Sequence, residues 1–384
     1  MYSLNQPQKT IPQLSRLYLS QDNKPDLDGV DLANPELAQA LWDHCNKHGT
    51  GPLVYHNLKI HCQNHHLPET SEKQFQQSYY RTLANNLAHR EILNELASTL
   101  HDVPVIILKG LVLIYNIYNN PALRPMTDID LLIHPADLQR TKQKLRDLSF
   151  NNAPNYPDVF LRENAQIDLH THPFNTDRIR ARNVATPLAI ENIWENAQPF
   201  QACPQFSQLS LPHQVLTLSV HALKHGFERN IWLIDILGSI NCASSQAQWQ
   251  SVVDCCRQSN ADGILAYALH AITNRLKDPI LAPIENLQKS FPIGPIRRKI
   301  LIIGNPTGDF QLLEPLVLAH TIPGIGQKVR CLAEFVFPRK PVLGQISGLS
   351  GKWIFYLSYP LRFAQLVIRG SIQAVRLLKS LLSR

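Results

Sequence analysis

A short apolar run rich in β-branched residues, Val103 to Leu108 (VPVIIL), and a second extended run, Asp128 to Ile133 (DIDLLI), interrupt a chain whose apolar residues otherwise recur at helical spacing. A short apolar run without polar alternation is the pattern of a strand covered on both faces. Upstream, Leu37, Ala40, Leu41 and Cys45 share one face of a segment from Pro35 to His48, and the spacing resumes from Ser71 to Leu100 after breaks at Gly49 to Gly51 and Pro68. Downstream of Leu108 come Lys109-Gly110, a helical stretch (LVLIYNIYN), a Pro-containing loop (NNPALRPMT) and the second run. Pro135 suits the first turn of a further helix. Asp158 to Arg162 and Gln166 to His172 read as extended pieces joined at a Glu163-Asn164 turn.

The fold class expected is therefore α+β: a small mixed sheet over residues 101–175, set between a helical N-terminal region (1–100) and a helical region (176–290). In the latter, Pro212 stands near one helix start and Gly226 near its end. Residues 291–384 form the last part, a Pro- and Gly-rich segment of short helices and a basic amphipathic helix from about Pro360 to Leu382. With 44% hydrophobic and 17% charged residues, a disordered chain and a collagen-like fibre are excluded. At about 150 residues per domain the 384 residues make two to three domains.

The formal net charge of +7 favours anionic partners. It is concentrated at the end of the chain, where residues 327–384 carry ten Lys and Arg against Glu334 alone, a net +9. Trp353, Phe355, Tyr356, Tyr359 and Phe363 give this region an aromatic side, and three readings stay open for it: a solvated or self-docked helix, a peripheral membrane contact, or a patch for nucleic acid or an acidic partner. The seven Cys include no CxxC pair and indicate reduced thiols rather than a disulfide framework or zinc ribbon. The N-terminus has no apolar stretch resembling a secretory signal, and Arg362 and Arg369 interrupt the most apolar C-terminal segment, so no transmembrane segment is expected. The expected location is cytoplasmic.

The chemistry sits on three acids. Side chains at i and i+2 of a strand share a face about 6.6 Å apart, so Asp128 and Asp130 project on the side opposite Ile129 and repel each other unless a cation intervenes. Asp168 stands between Ile167 and Leu169, which point the other way. If its strand lies beside the first, three carboxylates converge and can hold two divalent ions about 3.5–4 Å apart, the clamp for attacking and leaving oxygens. The plainer alternative makes Asp128 a turn cap and Asp168 a surface residue. His170 and His172 alternate with Asp168 and would make a D-x-H-x-H zinc set, but further ligands cannot be assigned, and His170 is better placed as a hydrogen-bonding group beside a nucleotide or acceptor. His221 and His225 lie one helical turn apart without the Glu of an H-E-x-x-H motif. They line an interface, or with Lys224 and Arg229 they face a cleft. Asp235 pairs with Arg229 or caps a turn; the sequence leaves both open.

Taken together, L-K-G at Leu108 to Gly110, R-P-M-T-D-I-D-L-L-I at Arg124 to Ile133, I-D-L-H at Ile167 to His170, and the helical H-A-L-K-H-G-F-E-R-N-I-W-L-I-D at His221 to Asp235 resemble an uncharacterised bacterial nucleotidyltransferase family of the polymerase-β superfamily. The resemblance covers most of the chain and is weakest before residue 34 and after about residue 340. It implies an enzyme that moves NMP from an NTP, ATP among them, to an acceptor hydroxyl or phosphate with release of pyrophosphate, chemistry of the EC 2.7.7 kind. It further implies that Asp128, Asp130 and Asp168 bind two Mg²⁺ (or Mn²⁺), that Asp168 helps deprotonate the acceptor, and that Lys109, Gly110 and Arg124 bind the triphosphate, with Lys224 and His225 as further nucleotide contacts. The superfamily's usual Gly-Ser after the first strand is Lys109-Gly110 here, so an ammonium and backbone amides stand in for the serine hydroxyl. The acceptor implied is a peptide, protein, small molecule or RNA end. Transfer of a phosphoryl or polyphosphate group, and a catalytically silent nucleotide-binding scaffold, are the competing functions.

Overall fold

The computed structural model describes residue 14, residues 27–276 apart from 63, 64, 155, 177–179 and 244, and beyond them 287, 291, 294, 313–322, 324–339, 342, 343, 358–368, 371, 372 and 375. Three helices come first. Helix α1 (Pro35–His48) starts where the Asn34 side chain accepts from the Glu36 and Leu37 amides, both at 3.0 Å, and stops at Gly49, which takes up the left-handed conformation with φ 70°. Helix α2 (Gly51–His61) and the 31-residue α3 (Glu69–Thr99) follow, and Leu41, Cys45, Val54 and Phe75 form their shared core. Halfway along α3, Asn86 donates to the carbonyl oxygens of Pro121 (2.6 Å) and Arg124 (2.8 Å), pinning the loop before the second strand.

The sheet has seven strands in the order β3-β4-β5-β2-β1-β7-β6. Strands β1 (Val105–Leu108) and β2 (Ile129–Ile133) are antiparallel, β2 and β5 (Ala165–His170) are parallel, and β4 (Tyr156–Arg162) forms a hairpin with β5 through Glu163 at φ 52°. The continuous apolar runs arise because both faces are covered. Val105, Ile107, Ile129, Leu131, Ile133 and Ile167 point into a core with Leu93 and Leu96 of α3 and Leu145 of α5 (Leu138–Asp147). Ile106, Leu108 and Leu132 point to the other side, against Ile193 of α7 (Ile190–Glu195). Each such side chain contributes roughly 1.5–3 kcal/mol by leaving water, so neither face tolerates routine polar residues. Asp130, Asp168 and His170 sit on the second face, beyond the reach of that smaller core, at the end of the strands.

The expected α+β class is present, the Asp168 strand lies beside the Asp130 strand, with the two parallel, and several details differ from the sequence reading. The sheet extends past residue 175 through the two-residue strands β6 (Gln198–Pro199) and β7 (Ser207–Gln208), the latter parallel to β1, and it gains β3 (Asn151–Ala153) at its other edge. Such short pieces carry no periodicity to read. Strand β2 begins at Ile129, whose partner is Ile167, so Asp128 has no partner in the ladder and ends the preceding loop instead. Strand β5 stops at His170, leaving His172 outside it. The helical stretch after Lys109 is α4 (Gly110–Leu113) running into a π turn at Ile114–Tyr118.

Helices α8 (Leu211–Lys224), α9 (Asn230–Asn241), α10 (Gln246–Gln258) and α11 (Asp262–Arg275) pack around Leu216, Leu223, Ile234, Val252, Leu265 and Tyr267. Within the Pro-rich segment, α12 (Leu313–Thr321) and α13 (Ile325–Val336) are short helices, as expected. They dock on α6 (Arg180–Ala185): Arg182 pairs with Glu314 through Nε to Oε1 (2.6 Å), and Glu334 accepts from the Arg180 and Ala181 amides. Of the basic C-terminal helix, residues 358–368 are described and helical; most of its remainder, and Trp353, Phe355 and Tyr356, lie outside the described residues. Among the described residues no helix is long and apolar enough to cross a membrane.

Candidate active site

Strand β1 delivers the chain to Lys109, which adopts φ 48° and ψ −116°, a conformation outside the allowed regions for a residue with a Cβ. Strain of this kind costs of order 1–3 kcal/mol and persists where the surroundings hold it. Here it turns the chain into α4 and aims the ammonium back over the sheet, with Nζ 3.1 Å from Asp130 Oδ1. The next residue must be small, since a Cβ on Gly110 would lie 2.7 Å from Met126 Sδ and 3.7 Å from Arg124 Nη1. The K-G pair of the sequence thus meets the R-P-M-T loop in space.

Parallel pairing of β2 with β5 puts Asp130 opposite Asp168 in register, and Leu132 opposite His170. One ligand-capable atom from each of Asp130, Asp168 and His170 lies within 4.8 Å of the others. His170 Nε2 is 2.7 Å from Asp130 Oδ1, while its Nδ1 is 2.7 Å from Asn175 Oδ1. Asn175 thus engages the far ring nitrogen and leaves Nε2 directed at Asp130 inside the cluster. An outer-shell partner fixes a metal-ligating histidine in the same way. Asp128 stands outside this group, at the mouth, with its Oδ1 accepting from Thr127 Oγ1 at 3.2 Å.

The acids divide electrostatically. Burial would raise Asp130, but the adjacent Lys109 ammonium and the His170 contact outweigh it and hold its carboxyl below the usual range. Asp128 is raised by burial and by repulsion from Asp130. Asp168 is also raised by burial, with His170 opposing and the other two acids adding to the shift. Two half-buried carboxylates that resist ionisation beside a third that is fully ionised make a site short of positive charge. The donor set, two carboxylates and an imidazole with a lysine ammonium already against one of them, fits a divalent cation; oxygen donors suit Mg²⁺ and the nitrogen extends the range to Mn²⁺ or Zn²⁺.

The remaining residues singled out in the sequence frame this cluster. Arg124 is buried and bidentate on Asp235, with Nε to Oδ1 at 3.0 Å and Nη2 to Oδ2 at 2.8 Å, and Tyr118 donates to the same Oδ1 at 2.8 Å. This decides the partner of Asp235, which is Arg124. One edge of the guanidinium is occupied, and only Nη1, which donates to the Pro125 carbonyl at 3.3 Å, faces the Gly110 turn. At the C-terminal end of α8, His221 and His225 lie 4.8 Å apart between ring centroids with their planes tilted, and both pack on Trp232. Burial lowers both imidazoles, and the nearby Lys109 and Lys224 charges add to the shift; His225 reaches about 3. They are therefore neutral, apolar-facing groups beside a basic wall. His172 lies apart, its Nε2 donating to the Leu188 carbonyl at 3.4 Å.

Beside the metal-capable cluster runs a cleft of about 370 Å³ between the N-terminal helices and the Pro125-Met126-Thr127 loop. Its polar lining consists of amides and hydroxyls with Arg81 and Arg229, and it contains no carboxylate. The Arg229 guanidinium lies over the Trp232 ring at 5.7 Å, and its Nε is buried without a hydrogen-bond partner. Gly49 makes room for it: a Cβ there would fall 2.5 Å from Arg229 Nη2. Neither this cleft nor the supporting residues Asn86 and Asn175 had a signal in the sequence, since each acts through contacts with residues distant in the chain or beyond a turn.

A family model described as an uncharacterised nucleotidyltransferase matches residues 34–277. No curated protein and no solved structure matches the chain. The matched span holds the strained Lys109 turn, the Asp130, Asp168 and His170 cluster and its basic wall, and the chain belongs to this uncharacterised nucleotidyltransferase family.

Proposed function

We propose that the chain transfers a nucleoside monophosphate from an NTP to an acceptor hydroxyl or phosphate and releases pyrophosphate. The observation that carries this reading is the in-register pairing of Asp130 with Asp168, with His170 closing the group within 4.8 Å, in a member of a nucleotidyltransferase family. Asp130, Asp168 and His170 are the residues that would hold a divalent cation, Mg²⁺ or Mn²⁺, with Asp128 at the mouth available for a second. When bound, such ions supply neutralisation of the triphosphate and of the charge that develops at the reacting phosphorus.

The chain's own residues do the rest. The triphosphate lies along the Lys109-Gly110 turn, bound by the Lys109 ammonium, the Gly110 amide and Arg124 Nη1, with Lys224 and His225 as further contacts. Asp168, in register with Asp130, takes the acceptor proton. The acceptor oxygen bonds to the α-phosphorus as the bond from that phosphorus to the bridging oxygen of the β-phosphate breaks, and the electron pair leaves with pyrophosphate. We place the acceptor in the cleft beside Thr127, whose acid-free lining with Arg81 and Arg229 suits an acceptor that carries a carboxylate or phosphate. The four-part division of the chain and a cytoplasmic location belong to this reading; the free cysteines accord with the latter.

Calorimetric titration of the four NTPs with and without Mg²⁺ tests it, since no acceptor is needed. Divalent-dependent binding of at least one NTP by the wild-type protein, lost in Asp130→Asn with the thermal transition retained, is the expected result. Equal binding with and without the ion, or undiminished binding in Asp130→Asn, would overturn the site. Folded wild-type protein that binds no NTP would overturn it as well and would favour a scaffold that has lost the nucleotide.

A further inference from the structure

The large apolar side chains that remain exposed are gathered at one end of the chain. Among the described residues, ten of the fifteen fall between Ile325 and Val375, led by Ile325 at 81%, Val329 at 61% and Phe337 at 59% exposure. On α13 they recur at Ile325, Val329 and Leu332, an i, i+4, i+7 stripe on one face. The opposite face holds the helix to the protein: Cys331 is buried, and the Glu334 carboxylate caps α6 by accepting from the Arg180 amide at 3.0 Å and the Ala181 amide at 2.6 Å. The apolar stripe is therefore the outward face of an anchored helix. It continues across a second contact, where Tyr359 donates to the Pro338 carbonyl at 3.2 Å and its ring lies 6.5 Å from that of Phe337. Beyond it, the helix over 358–368 presents Leu361, Phe363, Val367 and Ile368 to solvent, and Ile372 and Val375 follow.

We propose that this surface docks on an anionic lipid bilayer, lying in the interface plane. Charge selects the occupant. Residues 327–384 carry a net +9, and their single acid, Glu334, is spent on the inner face of α13, so the outward side combines exposed apolar groups with Lys328 and Arg330 and has no carboxylate. A second copy of the chain would press two such positive surfaces together, whereas an acidic bilayer accepts both the apolar side chains and the basic ones. The surface lies on the bilayer rather than crossing it, since among the described residues no helix is long and apolar enough to span.

The experiment is flotation of the full-length protein with phosphatidylcholine vesicles, with and without phosphatidylglycerol. The expected result is binding to the phosphatidylglycerol vesicles that weakens with salt and is lost by more than tenfold in Val329→Asp/Leu332→Asp. In Lys328→Glu and Arg330→Glu, affinity falls about fivefold each for the acidic vesicles alone. All variants keep the wild-type thermal transition and NTP binding, since none touches the site. Failure of the wild-type protein to bind acidic vesicles, or equal binding to both kinds, overturns the proposal. So does a concentration-dependent dimer, or binding to single-stranded RNA, that the same variants abolish while vesicle binding persists. None of these outcomes bears on the nucleotidyltransferase reading.

Discussion

Arg124 illustrates how a residue's neighbours reassign its work. In the sequence it is the phosphate ligand nearest the D-x-D pair. In the structure most of its guanidinium is committed to Asp235, buried with it and with Tyr118. The interaction holds the Pro125-Met126-Thr127 loop that leads into β2. Removing one partner strands the other in a low-dielectric site. Asp235→Asn is therefore expected to lower the free energy of unfolding by about 3–5 kcal/mol, measured by denaturant titration, whereas Arg124→Met/Asp235→Leu loses much less. If the pair were at the surface in solution, the single substitution would cost under about 1 kcal/mol.

At the level of elements, the site depends on where two loops meet. The turn from β1 into α4 and the loop before β2 touch at Gly110 and Met126, and Asn86 of α3 fixes the second loop from behind. Gly110→Ala inserts a methyl group 2.7 Å from Met126 Sδ, so one of the two loops must move. Overpacking of a buried contact typically costs about 1–3 kcal/mol. The expected outcome is a lower thermal transition and at least tenfold weaker NTP binding, with Gly110→Ala/Met126→Ala recovering more stability than the two single effects summed, as coupled neighbours do. Additive effects would show that the two loops do not press on each other.

For the whole molecule, the junction between the N-terminal helices and the C-terminal bundle is built on histidines. Arg275 of α11 donates to Asn230 Oδ1 (2.6 Å) and to the Glu228 carbonyl (2.7 Å), lies 3.2 Å from His48 Nδ1, and receives no carboxylate partner among the described residues. His44 stacks on His48 at 4.2 Å. Burial first, and then the Arg275 and neighbouring charges, lower His44 to about 4 and His48 to about 3 from the ordinary 6.5. Because these groups lose protons more readily in the folded state, the unfolded chain binds more protons wherever the pH lies below 6.5, and stability rises with pH through that window. The thermal transition is expected to be flat above pH 6.5 and to fall as the pH drops toward 4, with a shallower fall in His48→Gln. A transition independent of pH between 6.5 and 4 would show that the junction is not buried.

The sequence by itself determined the two buried strands, because a run such as VPVIIL survives only with both faces covered, and it singled out Asp130 and Asp168, which stand in apolar strands where an unpaired charge is costly. The hairpin at Glu163 and the helical regions on either side of the sheet were equally legible, since periodicity and turn residues are local. Only the tertiary structure decided that Asp128 stays outside the ladder, that His170 joins the acids with Asn175 holding its far nitrogen, and that Arg124 rather than Arg229 takes Asp235. Each of these depends on the register between strands or on contacts across a hundred or so residues, such as those from Arg124 and Tyr118 to Asp235, and no property of the neighbouring residues in the chain encodes such a meeting.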